Sequence, residues 1–226
     1  MRRIAYYGGS FDPPHRGHLA VADALLAQFE LDEFVFIPAF HAPHKVRLKP
    51  TSAYDRYAML CLATGNIREM TISRMEIEVP ERPYTIETLT RLKAENPDNT
   101  TFFVMGADSW MNIRTWREWE KVLSITNHII VARPDVEISF RHVTDEIRSR
   151  IIDLRAVPGA KPGSEDENQD IGQGSRMRKQ IFITDAVNLD IAATDIRAKI
   201  RKNDALWQTE VPAEVANYIK KYQIYN

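Results

Sequence analysis

The sequence predicts an α/β fold: a Rossmann-like, doubly wound parallel sheet with helices on both faces, forming one domain over residues 1–226. Three observations predict it. Short apolar runs rich in β formers alternate with segments of helical spacing. The run starting at Ile4 ends in Gly8-Gly9 and passes through a turn on Asp12, Pro13 and Pro14 into a helix. Neither an internal repeat nor a dividing linker interrupts the 226 residues, a length that allows a sizeable core.

The first helix follows from Ala22, Leu25, Leu26 and Phe29 at i, i+3, i+4 and i+7. Residues 33–37 read as a second strand. Residues 38–50 read as a loop with three prolines, three basic residues, His41 and His44. A helix is expected over 52–64, with Ser52 as N-cap and Tyr57, Cys61 and Leu62 on its buried side. Alternation around Ile72, Met75, Ile77 and Val79 predicts one or two short strands in 70–79. Pro80 and Pro83 bracket a turn before a helix with Ile86, Leu89 and Leu92 inward, which Asn96, Pro97 and Asp98 stop.

Residues 101–106, Thr-Phe-Phe-Val-Met-Gly, give the clearest buried strand and lead into a small-residue turn with Asp108. Of the three following tryptophans, Trp119 is assigned to the core, whereas one just past a strand end could stack on a flat ring. Residues 127–132 form the next strand. Val143, Ile147 and Ile151 predict a helix within 142–154. Residues 158–178 carry four glycines and almost no apolar anchor, and read as a flexible insertion within the domain. A strand over 180–184, a helix N-capped by Thr194, and a last helix from Pro212 burying Val215, Tyr218, Ile219 and Tyr222 complete the chain.

Apolar residues are 44% and charged residues 27% of the chain, as in an ordinary globular protein. A net charge of −1 gives no general pull toward nucleic acid or a membrane surface, so an anionic ligand needs a local basic cluster. The single cysteine, Cys61, fits a reducing compartment and reads as a small hydrophobe. No apolar run reaches the ~20 residues needed to span a bilayer, and the early glycines and prolines break up any signal-peptide core. A cytoplasmic protein is expected. Oligomeric state is left open, a homo-oligomer included.

The chemistry concentrates at residues 8–18. A strand that enters a helix through a glycine turn gathers free backbone N–H groups and the positive end of a helix dipole, which favours an anion. His15 and His18 add two imidazoles there. Four of the six histidines fall between His15 and His44, so the two loops are expected to face one site. A zinc site on His15, His18, His41 and His44 is an alternative, weakened by the lack of a cysteine or carboxylate pair. The turn matches neither Gly-x-Gly-x-x-Gly nor a P-loop.

The segment Gly9-Ser-Phe-Asp-Pro-Pro-His-Arg-Gly-His18 resembles the (His/Thr)-x-Gly-His signature of the nucleotidyltransferase α/β phosphodiesterase superfamily. Pro-His-Lys at 43–45, Pro-Tyr-Thr-Ile-Glu-Thr at 83–88, Gly-Ala-Asp-Ser at 106–109, Trp116, Arg133-Pro134 and Thr194-Asp-Ile-Arg197 make it most similar to the bacterial nicotinate-nucleotide adenylyltransferase branch. The resemblance implies AMP transfer from ATP to nicotinate mononucleotide with Mg²⁺ carried on the ATP phosphates rather than by protein side chains. It implies ATP contacts at Gly8, Gly9, Ser10, His15, His18, Gly106, Asp108, Thr194 and Arg197, with His18, His15 and Arg197 catalytic. It places the mononucleotide phosphate on Lys45, its pyridine ring on Trp116, and its carboxylate on the Tyr84 and Thr85 amides. Ala192 and Ala193 depart from the family pattern, which has hydroxyls there, and bring ATP affinity into question. A preference for nicotinamide mononucleotide, another acceptor such as phosphopantetheine, and a non-enzymatic nucleotide-binding protein are the alternatives.

Overall fold

The computed structural model describes residues 1–40, 51–79, 83–133, 136–155 and 178–225. Strands β1 (Arg3–Gly9), β2 (Glu33–Pro38), β3 (Met70–Ile72), β4 (Thr100–Gly106), β5 (Asn127–Val131), β6 (Ile151–Asp153) and β7 (Ile181–Thr184) form one sheet in the order β3-β2-β1-β4-β5-β7-β6. Every pairing is parallel. The helices are α1 (Arg16–Gln28), α2 (Ala53–Thr64), α3 (Thr85–Glu95), α4 (Ala107–Met111), α5 (Trp119–Ile125), α6 (Asp145–Arg148), α7 (Ala193–Arg201), α8 (Trp207–Glu210) and α9 (Ala213–Tyr222). None of the described helices is long and apolar enough to cross a membrane.

The expected doubly wound sheet is present. Chain order runs outward from β1 to β2 and β3 on one side, then returns to β4 on the other. The reversal opens a crevice beyond the carboxyl ends of β1 and β4, the usual ligand position in such sheets. Register brings those ends level: Tyr7 lies opposite Val104, two residues before Gly9 and Gly106, the last residues of the two strands.

Side chains alternate across the strands and build a core on each face. On one face Ile4, Tyr6, Val35, Phe103, Met105 and Ile130 meet Ile86, Leu89 and Leu92 of α3 and Val122 and Leu123 of α5. On the other, Ala5, Phe34, Phe36, Phe102 and Val104 meet Val21, Ala22 and Leu25 of α1. A third cluster contains no strand residue. It joins Met59 of α2, Ile196 and Ile200 of α7, Trp207 of α8, Val211, and Val215, Ala216 and Ile219 of α9.

Several expectations are corrected. The buried side of α2 is Arg56, Met59 and Leu60, whereas Leu62 is exposed and Tyr57 and Cys61 are half-buried. Only Met70–Ile72 of 70–79 is a strand; Met75 and Ile77 are buried from a turn. Residues 142–154 hold a four-residue helix followed by β6, because Val143, Ile147 and Ile151 face one core from three kinds of backbone. The core indole is Trp110, fully buried with its N–H donating to the Ser139 carbonyl, and Trp119 is only half-buried. Helix α7 is capped by Ala192, not Thr194, and Tyr222 is exposed. The expected insertion over 158–178 lies outside the described residues except for Arg178.

Candidate active site

The site grows from the end of β1. A Cβ on Gly9 would stand 2.8 Å from Phe11 Cζ, and one on Gly8 3.2 Å from Phe103 Cζ. Gly9 therefore accepts no side chain without moving a buried ring. Phe11 adopts a left-handed φ of 47° and is 2% exposed, its ring edge-on to Tyr7, Phe36 and His18. The ring plugs the space under the turn: residues 11–14 are buried, and Gly8, Gly9 and Ser10 are the half-buried part of the segment.

His15 is the N-cap of α1 and His18 its third residue. Their rings stack at 3.6 Å between centroids, and the His15 N–H donates to His18 Nδ1 at 3.2 Å. This bond requires a lone pair on His18 Nδ1, so the proton of a neutral His18 sits on Nε2. Burial, then the charges of His15 and Arg133, hold His18 well below its ordinary range. Burial first and Arg133 second push His15 from 6.5 down to about 4. Both rings are thus neutral at physiological pH. Gly17 makes the stack possible, because a Cβ there would meet His15 Nδ1 at 3.0 Å and Cε1 at 3.1 Å.

Three arginines shape the crevice. Arg56 of α2 is 1% exposed and donates to the carbonyls of Ser10 (2.6 Å), Ala39 (2.6 Å), Phe40 (3.1 Å) and Thr51 (3.1 Å). It clamps the turns after β1 and β2 together. Arg197 of α7 donates to the Asp12 carbonyl at 2.5 Å and to Thr194 Oγ1 at 3.2 Å, joining the second helix start to the first turn. Arg133, just past β5, donates to Asp108 Oδ2 (3.3 Å) and to the Ile191 carbonyl (3.4 Å). Its charge reaches both histidines. The sequence assigns Arg133 a place in the pattern but no role, and it does not mark Arg56, since a cation on a helix ordinarily reads as its solvent face.

The expected ATP-side residues Gly8, Gly9, Ser10, His15, His18, Asp108, Thr194 and Arg197 are thus connected around one crevice. Gly106 caps α4 beside it, and open space surrounds the position its Cβ would take. Trp116 is half-buried and lies edge-on to Phe103, the ring that closes on Gly8. Tyr84 and Thr85 stand at the start of α3. The Tyr84 N–H donates to Glu87 Oε2 at 2.9 Å, and the Arg117 guanidinium covers the Tyr84 ring at 4.8 Å. Lys45, His41 and His44 lie outside the described residues, and so does Pro134. Among the described residues no group of three or more His, Cys, Asp or Glu is arranged to hold a metal ion. In the zinc alternative, His18 Nδ1 is already occupied by the His15 amide.

The cytidylyltransferase-like family model matches residues 6–199. A Mycolicibacterium vanbaalenii protein named "probable nicotinate-nucleotide adenylyltransferase" is 33% identical, over 100% of this chain and 92% of its own. A Desulfatibacillum aliphaticivorans protein of the same name is 34% identical over 99% of each chain. This chain belongs to the nicotinate-nucleotide adenylyltransferase family. The Plasmodium falciparum nicotinic acid mononucleotide adenylyltransferase shares the fold: its NaAD complex superposes with a TM-score of 0.71 at 19% identity, covering 100% of this chain and 98% of that one. Its complex with APC gives a TM-score of 0.69 at 20% identity with the same coverage. In this adenylyltransferase-family chain, the neutral histidine pair and the two guanidiniums of Arg133 and Arg197 occupy the crevice that the sheet order creates.

Proposed function

We propose that this chain transfers the adenylyl group of ATP to nicotinate mononucleotide, forming deamido-NAD and pyrophosphate. The observation that carries this reading is the His15–His18 stack at the start of α1, its ring centroids 3.6 Å apart and His18 Nδ1 held by the His15 amide, next to two glycines and under the charge of Arg133. A phosphate oxygen of the mononucleotide attacks the α-phosphorus of ATP. The bond from that phosphorus to the α,β-bridging oxygen breaks, and pyrophosphate leaves with the electron pair. No protein nucleophile is needed, so the protein contributes positioning and charge stabilisation.

His18 has the tautomer for this task. With Nδ1 bound to the His15 amide, its Nε2–H is the donor, and donation to a phosphate oxygen needs no proton exchange with solvent. Gly8, Gly9 and Ser10 supply backbone that phosphate can approach. Arg197 and the first-turn amides of α7 hold the leaving phosphates, while His15 supports His18 through the stack. Ala192 and Ala193 leave those amides in place but remove two hydroxyls. The ATP phosphates would carry Mg²⁺, which would neutralise part of their charge, and Asp108, whose side chain is 63% exposed and paired with Arg133, would lie beside those phosphates. Gly106 borders the adenosine.

On the acceptor side, Trp116 offers a ring face for the pyridine, and Lys45 is assigned its phosphate. The nicotinate carboxylate is drawn toward the Thr85 amide at the start of α3 and the Arg117 cation over Tyr84. Reaching the Tyr84 amide requires it to displace Glu87, which favours an acid over a neutral amide only if Arg117 assists. The test is pyrophosphate release from Mg-ATP with nicotinate mononucleotide and with nicotinamide mononucleotide in parallel. A faster reaction with the amide would overturn the choice of acceptor. ATP binding without pyrophosphate release from either would favour a non-enzymatic role.

A further inference from the structure

Past α9 the chain doubles back in an unusual way. Gln223 and Tyr225 both adopt left-handed φ angles, 52° and 77°, although neither is glycine. The Gln223 and Ile224 N–H groups both donate to the Ile219 carbonyl, which closes the helix end. Left-handed backbone is strained for a bulky residue, and the contacts of Tyr225 hold this turn. The turn carries the Tyr225 ring against the third core cluster and brings its hydroxyl to Asp12 Oδ1 at 2.7 Å.

Asp12 is a junction within the phosphate turn and is 8% exposed. Its other carboxylate oxygen accepts the Thr51 N–H at 3.4 Å, and its carbonyl accepts Arg197 at 2.5 Å. The charge of buried Arg56 also acts on it. Two prolines and then His15 follow it in sequence. The orientation of Asp12 therefore sets where Arg197 points and how the chain enters α1.

We propose that Tyr225 is a positioning residue for the ATP site, acting through Asp12 to hold the turn that seats Arg197 and His15. The ring needs no hydroxyl to pack in its cluster; the hydroxyl's contacts are Asp12 and the Thr51 side chain. Burial first, and then the Asp12 charge, push the phenol up, so it stays protonated as a donor. A hydrogen bond to an ionised group is among the stronger kinds, and losing the donor leaves a nearly buried carboxylate short of a partner.

The inference rests on the adenylyl-transfer reading, and its test separates the two. Full-length wild type, Tyr225→Phe, Asp12→Ala and the double variant are assayed with both substrates varied, and binding of an unreactive ATP analogue is measured by calorimetry. The Phe variant keeps the ring. Its KM for ATP should rise roughly tenfold, with kcat and the KM for the mononucleotide within about twofold of wild type. In the Asp12→Ala background the same change should have almost no further effect. An unchanged KM for ATP in Tyr225→Phe, or an effect that multiplies fully with Asp12→Ala, would overturn the proposal. If Asp12→Ala does not fold, the analogue affinity of Tyr225→Phe decides alone. A wild type that binds the analogue but transfers no adenylyl group would sink the functional reading and leave the Tyr225 comparison intact.

Discussion

Replacing Arg56 by Met removes the guanidinium and keeps much of the aliphatic stem. Four carbonyls, those of Ser10, Ala39, Phe40 and Thr51, then lose a charged donor in a nearly closed space. Each such bond contributes about 1.5–3 kcal/mol net, and each buried carbonyl left alone costs about 1–3 kcal/mol. The contributions are not additive, and part of the gap is offset because a buried cation is no longer desolvated. A net loss of about 3–5 kcal/mol follows. For a chain of this size that lowers the melting temperature by roughly 10 °C. Differential scanning calorimetry and ATP-dependent pyrophosphate release, measured below the new transition, read the two effects. Arg56→Lys should recover little, because one ammonium cannot reach both the Ser10 and Ala39 carbonyls in a planar fork. A melting temperature within about 2 °C of wild type in Arg56→Met would show that water or backbone shifts satisfy those carbonyls, and the clamp argument would fail.

The other predictions concern the histidines. His18→Ala should lower kcat by about 10²–10³ with little change in the KM for ATP, since its donor acts where charge develops; near-normal turnover would remove that role. Gly17→Ala pushes a Cβ against the stacked His15 ring and should cut kcat/KM for ATP roughly tenfold in a folded protein. Unaltered kinetics would mean the ring has room to move. Burial pushes His15 down to about 4, and burial, partly offset by the Thr126 carbonyl, pushes His128 down to about 3. Unfolded imidazoles titrate near 6.5 and take up protons first as pH falls, so folding stability declines below that point. Between pH 7 and pH 5 the loss is on the order of 2 kcal/mol for each ring. Denaturant titrations of His128→Leu should show a shallower decline over this range, and a slope equal to that of wild type would contradict the assignment.

Strands β1, β4 and β5 were legible because buried parallel strands are written as uninterrupted apolar runs, and Gly8-Gly9 and Gly106 mark their ends. The His15–His18 spacing and the start of α1 were legible for a similar local reason. What escaped depends on contacts between distant segments. Arg56 is buried only because two loops wrap its guanidinium, so nothing on its own helix announces it. Val143, Ile147 and Ile151 mimic a helix because an i, i+4, i+8 pattern also arises when a turn, a short helix and a strand all press on one core. Tyr225 carries no periodic signal, and its relation to Asp12 spans almost the whole chain. The tautomer of His18 is set by a backbone amide, which every residue but proline has, so the sequence holds no mark of it.

The third cluster has a consequence for local opening. Met59, Ile196, Ile200, Trp207, Val211, Val215, Ala216 and Ile219 share one small core that includes no strand. Such a unit can come apart while the sheet stays intact, at a free energy below that of global unfolding. Amides of α7 and α9 should therefore exchange with solvent sooner than those of β1 or β4. A ligand held by Arg197 binds only the closed form, so it slows that exchange in proportion to its occupancy. The rate at which these helices exchange becomes a gauge of nucleotide binding that needs no turnover.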